Sequence, residues 1–231
     1  MSHISADLWQ ALWLTFQLAG LTALILVIVG VPLAYWLSRA RSLSASLIET
    51  LISLPIVLPP TVIGFYLLVA FAPDSALGQT WQALTGASLA FTFEGLVLGS
   101  LIYSLPFAVQ PFVQGFRNVR VELVESSAAL GANAWQRFWS ILVPEMRAAL
   151  LVGTTLSFAH TVGEFGVVLM LGGNIAGETR VASIALYDQT QNLDYATAHA
   201  YAGLLLMISF VLLLIITWLQ RRHRKNDIFV L

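Results

Sequence analysis

The chain has no cysteine, one lysine and few charges of either sign, and each scarcity removes a class of function. Without cysteine there is no disulfide and no thiolate-bound metal. The one lysine, Lys225, stands in R-K-N, so the phosphate-cradling G-x-x-x-x-G-K-[ST] loop is missing. Any ATP hydrolysis that drives this chain must occur on another polypeptide. A net charge of −1 gives no basis for a nucleic-acid partner. Charged residues make up 10% of the 231 positions, against about 25% in soluble domains. Hydrophobic residues make up 58% and mean hydropathy is +0.82, the composition of a membrane protein.

Apolar runs near the roughly 20 residues needed to cross a bilayer occur at 9–37, 47–71, 93–116, 148–171 and 195–218. The first is read as a retained span: residues 1–8 hold Asp7 and no Lys or Arg, and the run exceeds the roughly 7–15 apolar residues of a signal sequence. These runs predict an all-α, polytopic helix bundle of about five transmembrane helices, one transmembrane domain over 1–231. Basic residues favour cytoplasmic loops. When loops alternate, Arg39, Arg41, Arg117, Arg120, Arg137, Arg147, Arg221, Arg222, Arg224 and Lys225 fall on one side, and only Arg180 on the other. The N-terminus is therefore expected outside and the C-terminus inside.

That orientation makes a charged interval at 118–147 cytoplasmic. Within it, Glu122 and Glu125 suit the positive end of a short helix, and Ser126, Ser127, Ala128 and Ala129 keep the helix thin enough for another backbone to approach. Gly131 is expected to stop it in a left-handed conformation. A second helical run is expected over 132–142, with Pro144 opening the next helix.

The spans carry their own irregularities. In the second, L-P-I-V-L-P-P-T-V-I-G places Pro55, Pro59, Pro60 and Gly64 at membrane depth. Freed carbonyls there are tolerated only where protein or a water-filled cavity satisfies them, which makes Pro59, Pro60 and Thr61 candidates for a pore lining or gate; a purely structural kink is the alternative. Trp81 is expected on a short interfacial helix within the outer loop at 72–92. Gly95 and Gly99, four apart in the third span, favour close helix packing. In the fourth, H-T-V-G-E-F-G sets His160 and Glu164 four apart on one helical face. Two such groups are too few for a metal site. Glu164 is better read as holding a break at Gly163 and Gly166 in shape than as meeting an anion, which it would repel; with that break, Gly163, Glu164 and Gly166 join the candidates for the translocation path or gate.

Two resemblances follow from these strings. Glu125, Gly131 six residues later, Ile141 and Pro144 resemble the EAA loop of the membrane-spanning subunits of ABC importers, the surface that docks into the ATPase. Ser126 and Ser127 replace the usual alanines and Val143 the usual leucine, all within the same size class. The second-span string, G-E-F-G and N-I-A-G-E-T-R together resemble the permease subunits of bacterial molybdate importers, with Ala176 in place of a common proline. Sulfate permeases share the layout, so sulfate and tungstate stay open as cargo.

The resemblance implies ATPase coupling through Glu125, Ser126, Ser127, Ala128, Ala129, Gly131, Ile141 and Pro144. It implies an inner-membrane permease with two ATPase subunits carrying ATP and Mg, an external solute-binding protein, an oxyanion and membrane lipid as partners, and no cofactor of its own. Five spans cannot form inverted repeats within one chain, so a second copy is expected to complete the pore. A lone channel or carrier would leave the docking interval unexplained, and an intramembrane enzyme using His160 and Glu164 would lack a nucleophile. Arg180 either meets an anion or an acidic patch on the delivery protein, or is an exposed charge.

Overall fold

The computed structural model describes residues 2–226, with side chains left aside at 2–5, 216 and 219–226. Arg221, Arg222, Arg224 and Lys225 therefore lie outside the described side chains. Among the described residues all regular structure is helical. Among the described residues three helices are long and apolar enough to cross a membrane, over Ala6–Arg39, Phe93–Arg117 and Tyr195–Ile215, and the number rises to five if each of two sharply bent helix pairs, Leu43–Val57 with Pro60–Phe71 and Ala134–Glu145 with Arg147–Val162, is one span.

Helix α1 (Ser2–Arg39) and α5 (Phe93–Arg117) form the central pair, with α9 (Arg147–Val162) packed against both. The seam of α5 is legible in its buried residues. Ser100, Ser104, Ala108, Phe112 and Phe116 recur every four positions, so they share one face. Pro106 and Pro111 lie inside α5 without ending it. In a bilayer, water exclusion does not drive helices together, and close packing and interhelical hydrogen bonds carry the association. Two apolar clusters flank the seam, one around Leu18, Leu96 and Leu171, the other around Leu26, Leu37 and Phe112.

The second apolar run departs from a simple kinked span. Helix α2 (Leu43–Val57) contains Pro55 without breaking, and α3 (Pro60–Phe71) leaves it at 116°. The cause is local. Leu58 and Pro59 each precede a proline, which disfavours the helical region, and both are extended, with ψ of 138° and 135°. Pro60 then suits the first helical position, where its missing N–H costs nothing.

The fourth run is likewise two helices rather than one. Helix α9 ends at Val162, Gly163 caps it, and α10 (Gly166–Gly172) begins after Glu164 and Phe165. In the 72–92 loop, α4 (Ala76–Thr85) is the expected short helix, with Trp81 packed beside the Leu96 and Leu171 cluster. Helices α11 (Ala182–Gln191) and α12 (Tyr195–Asn226) complete the bundle.

Candidate translocation breaks and docking surface

The two broken runs meet. A Cβ placed on Gly166 would lie 2.9 Å from the Pro60 Cβ, so only glycine lets α10 approach the start of α3 this closely. One turn further along α3, Gly64 faces Met170 and Val167 of α10. Pro59 and Thr61 are exposed beside this contact, Pro60 is half-buried, and Gly163 is exposed.

Glu164 is 5% exposed and lies in the break itself, not on the helix that carries His160. The expected shared helical face does not form, because Gly163 ends α9 one residue earlier. The Ser100 hydroxyl donates to Glu164 Oε2 at 3.1 Å, while Oε1 has no partner. Ser183 Oγ donates to the Glu164 carbonyl at 2.5 Å, tying the break to α11. One turn along α5 from Ser100, the Ser104 hydroxyl lies 3.0 Å from His160 Nδ1 and 2.9 Å from the Thr161 hydroxyl. His160 also stacks on Phe107, with ring centroids 3.9 Å apart. The acid, through Oε2, and the imidazole thus each meet a different serine of the same helix face. Beyond the break, a cavity of about 480 Å³ is lined by Gly163, Ser183, Tyr187, Thr190 and Ser209 among apolar neighbours.

Sequence reasoning passed over Ser100, Ser104 and Ser183. Serine is unremarkable by itself in a membrane helix. The usable signal was the four-residue spacing of Ser100 and Ser104, which matches that of His160 and Glu164.

The charged interval takes a different form. Helix α6 (Val121–Ala129) has no buried residue, and Glu125, Ser126, Ala128, Ala129 and Leu130 are all exposed. Ser127 is half-buried, its hydroxyl donating to the Val124 carbonyl at 2.8 Å. Gly131 has φ of +87° with open space around its Cβ position, so its requirement is conformational and not one of packing. The Gly131 N–H donates to Ala128 O and the Ala132 N–H to Ser127 O, each at 3.0 Å, closing the end of α6.

The second helical run starts later than expected and changes type. Asn133 and Gln136 form a reciprocal capping box at the start of α7 (Ala134–Arg137). A π-helical turn follows over Phe138–Leu142, then α8 (Val143–Glu145). Pro144 sits inside this arm instead of opening the next span; the chain bends by 69° at Met146, and α9 begins at Arg147. Proline is tolerated there because α8 begins beside it. Ile141 is half-buried, while Leu142 and Met146 are buried, at 3% and 1% exposure. Phe138 meets Tyr35 of α1 edge-on at 5.4 Å and stacks beside Phe116 of α5 at 6.2 Å. The arm is therefore fixed to the bundle, and α6 projects from it.

On the opposite loop, Arg180 Nε donates to Asn174 Oδ1 at 2.6 Å and lies 3.7 Å from Asp188 Oδ2. Its guanidinium closes the 174–180 loop onto α11, which removes the reading of a free surface charge.

A membrane bundle with two facing helix breaks and an exposed helix on a braced arm defines a transport permease that works with other proteins. The family described as the binding-protein-dependent transport system inner membrane component matches residues 11–225, and the chain belongs to it. It is 45% identical over 203 residues to the molybdenum transport system permease protein ModB of Azotobacter vinelandii, covering 88% of this chain and 90% of that one. It is 33% identical over 199 residues to the sulfate transport system permease protein CysT of Escherichia coli K12, covering 86% and 72%. Among solved structures, a bacterial ABC transporter involved in alginate import matches with a TM-score of 0.75 at 18% identity, over 94% of this chain and 79% of that chain. An inward-facing methionine ABC transporter matches with 0.72 at 14%, over 96% and 98%. At those identities the fold alone is shared, and it is that of ABC importer permeases.

Proposed function

We propose that the chain is the molybdate-translocating permease of an ABC importer, itself without catalytic activity, driven by two copies of a separate ATPase that binds ATP and Mg. The observation that carries the cargo is the 45% identity to a molybdenum permease over nine-tenths of its length. Sulfate is the second reading, supported by the 33% identity to a sulfate permease; tungstate, chemically close to molybdate, is tested alongside.

In this reading two copies of the chain enclose the path, with their N-termini outside, and a solute-binding protein delivers the oxyanion to the outer face. The ATPase receives α6 and the Gly131 turn, contacting Glu125, Ser126, Ser127, Ala128 and Ala129. Closure of the ATPase pair pushes α6, and the arm through Ile141 and Pro144 passes that displacement to α9. The far end of α9 is the Gly163 break, whose partner across the contact is Pro60. Motion of α9 therefore shifts Gly166 against Pro60 and opens or closes the path beside Pro59 and Thr61. Helix breaks leave backbone groups free to meet an ion transiently. Glu164 positions this break through the hydrogen bond from Ser100.

The test is capture of the ATPase by the tagged permease in mild detergent, comparing the native protein with Gly131→Trp. Capture by the native protein and its loss in the variant support the docking assignment; equal capture by both overturns it. Stimulation of hydrolysis by binding protein loaded with molybdate, tungstate or sulfate then decides the cargo.

A further inference from the structure

Between α1 and the arm runs an apolar groove of about 720 Å³. Ile28, Val31 and Tyr35 line it on α1, and Trp135, Phe138 and Trp139 line it on the arm. Trp135 and Trp139 are 70% and 50% exposed, a large aromatic area for the chain to leave uncovered.

Three observations identify the occupant. First, the groove continues the outward stripe of a membrane-spanning helix: Leu21, Leu24 and Ile28 are exposed at helical spacing, and Val31 and Tyr35 extend the same face. The groove thus opens on the surface that α1 presents to lipid. Second, tryptophans at the end of a span mark the level of the headgroups. Third, an arginine adjoins lining residues on each side of the groove. The Arg39 guanidinium lies 5.2 Å from the centroid of the Tyr35 ring, and Arg137 sits on α7 between Trp135 and Phe138. Arg137 spends one of its five donors on the Ala132 carbonyl. Neither pairs with a carboxylate among the described residues, where the ion pairs are Arg117 with Glu49 and Arg180 with Asp188.

We infer that this groove binds one anionic phospholipid of the leaflet on the docking-loop side, an acyl chain along α1 and the headgroup phosphate between Arg39 and Arg137. That this leaflet is the cytoplasmic one rests on the orientation proposed above; the groove and its charge do not. The bound lipid braces the arm against α1, so it lies at the joint through which α6 moves.

The test is native mass spectrometry of the full-length permease, purified in detergent and given equal phosphatidylglycerol and phosphatidylcholine. The native protein is expected to retain phosphatidylglycerol preferentially. Arg39→Gln lowers that preference about fivefold, the effect of one basic residue near a lipid headgroup, and Val31→Trp, which fills the groove, lowers retention of both lipids. Ile28→Trp, at an exposed position, repeats the second arm should Val31→Trp fail to fold. Equal retention of the two lipids by the native protein, or unchanged retention in the filled variants, overturns the proposal. So does a dimer that dissociates when the groove is filled while lipid retention stays constant, since a second copy would then be the occupant. The readout needs neither ATPase nor cargo, so its failure leaves the transport reading standing, and failure of ATPase capture leaves the lipid result standing.

Discussion

The docking surface and the paired breaks are both interruptions of helix, yet they are built by opposite means. Around Gly131 the interruption is held by contacts within its own stretch: a positive φ, two closing backbone hydrogen bonds and the Asn133–Gln136 capping box, with nothing near the glycine and no buried residue in α6. Around Gly166 it is held by contact, with Pro60 against the glycine and buried serines on the acid and the imidazole. Shaped by contacts within its own stretch, this element leaves Glu125, Ser126, Ala128 and Ala129 uncovered. A break inside the membrane cannot do so, because its free polar groups have no water to turn to.

The sharpest way to break this comparison is to add bulk on each side. Gly166→Leu forces side-chain atoms into Pro60 and is expected to cost about 1–3 kcal/mol or more, read as a lowered thermal midpoint of the purified protein. Gly131→Trp, with open space around it, is expected to lower the midpoint less while losing the ATPase. A Gly166→Leu protein as stable as the native one would mean that the breaks do not meet closely.

A smaller effect comes from the acid. Glu164→Ala leaves the Ser100 hydroxyl without its acceptor in a buried site, a loss of about 1–3 kcal/mol. Glu164→Gln keeps an acceptor oxygen and is expected to fall between. If glutamine proves as damaging as alanine in thermal unfolding, the hydrogen bond from Ser100 is not what the acid contributes.

The smallest effect lies outside the membrane. The Thr197 hydroxyl donates to Asp194 Oδ2 and the Thr197 N–H to Oδ1, at 2.6 and 3.1 Å, capping the start of α12. These bonds, the hydroxyl's foremost, hold the Asp194 carboxyl below its ordinary range. A carboxylate depressed in the folded state stabilises above its unfolded pKa, and the contribution disappears as pH falls through the folded value. The protection of the Thr197 amide, measured against its intrinsic exchange rate, is therefore expected to fall on acidification through that range. Asp194→Asn should remove the dependence, and a native protein whose exchange there follows only the intrinsic pH trend would disprove the cap.

Much of this was legible before the coordinates. The apolar runs foretold an all-helical membrane bundle, and Gly131 foretold the left-handed turn, because composition and glycine conformation are local properties. The broken helices were legible as breaks but not as angles. Two consecutive pre-proline residues disfavour helix at Leu58 and Pro59, yet the 116° turn depends on what α3 packs against. Pro144 does stand at the start of a helix, α8, but that this helix is one short piece of an arm already begun at the Asn133 capping box was not legible. Likewise, spacing alone put His160 and Glu164 on one face; the cap at Gly163 separated them. That Pro60 meets Gly166, more than a hundred positions along the chain, was not readable from either segment alone.

The π-helical turn at Phe138–Leu142 has a geometric corollary. Such a turn is an α-helix carrying one surplus residue, and each residue of an α-helix advances the azimuth by about 100°. The docking helix and α9 are thus keyed to each other by a count of residues, as two cranks on one shaft are set by their phase. Deleting a single residue there would leave the chain just as hydrophobic and just as helical, and would point α6 a quarter-turn or more away from any partner built to receive it.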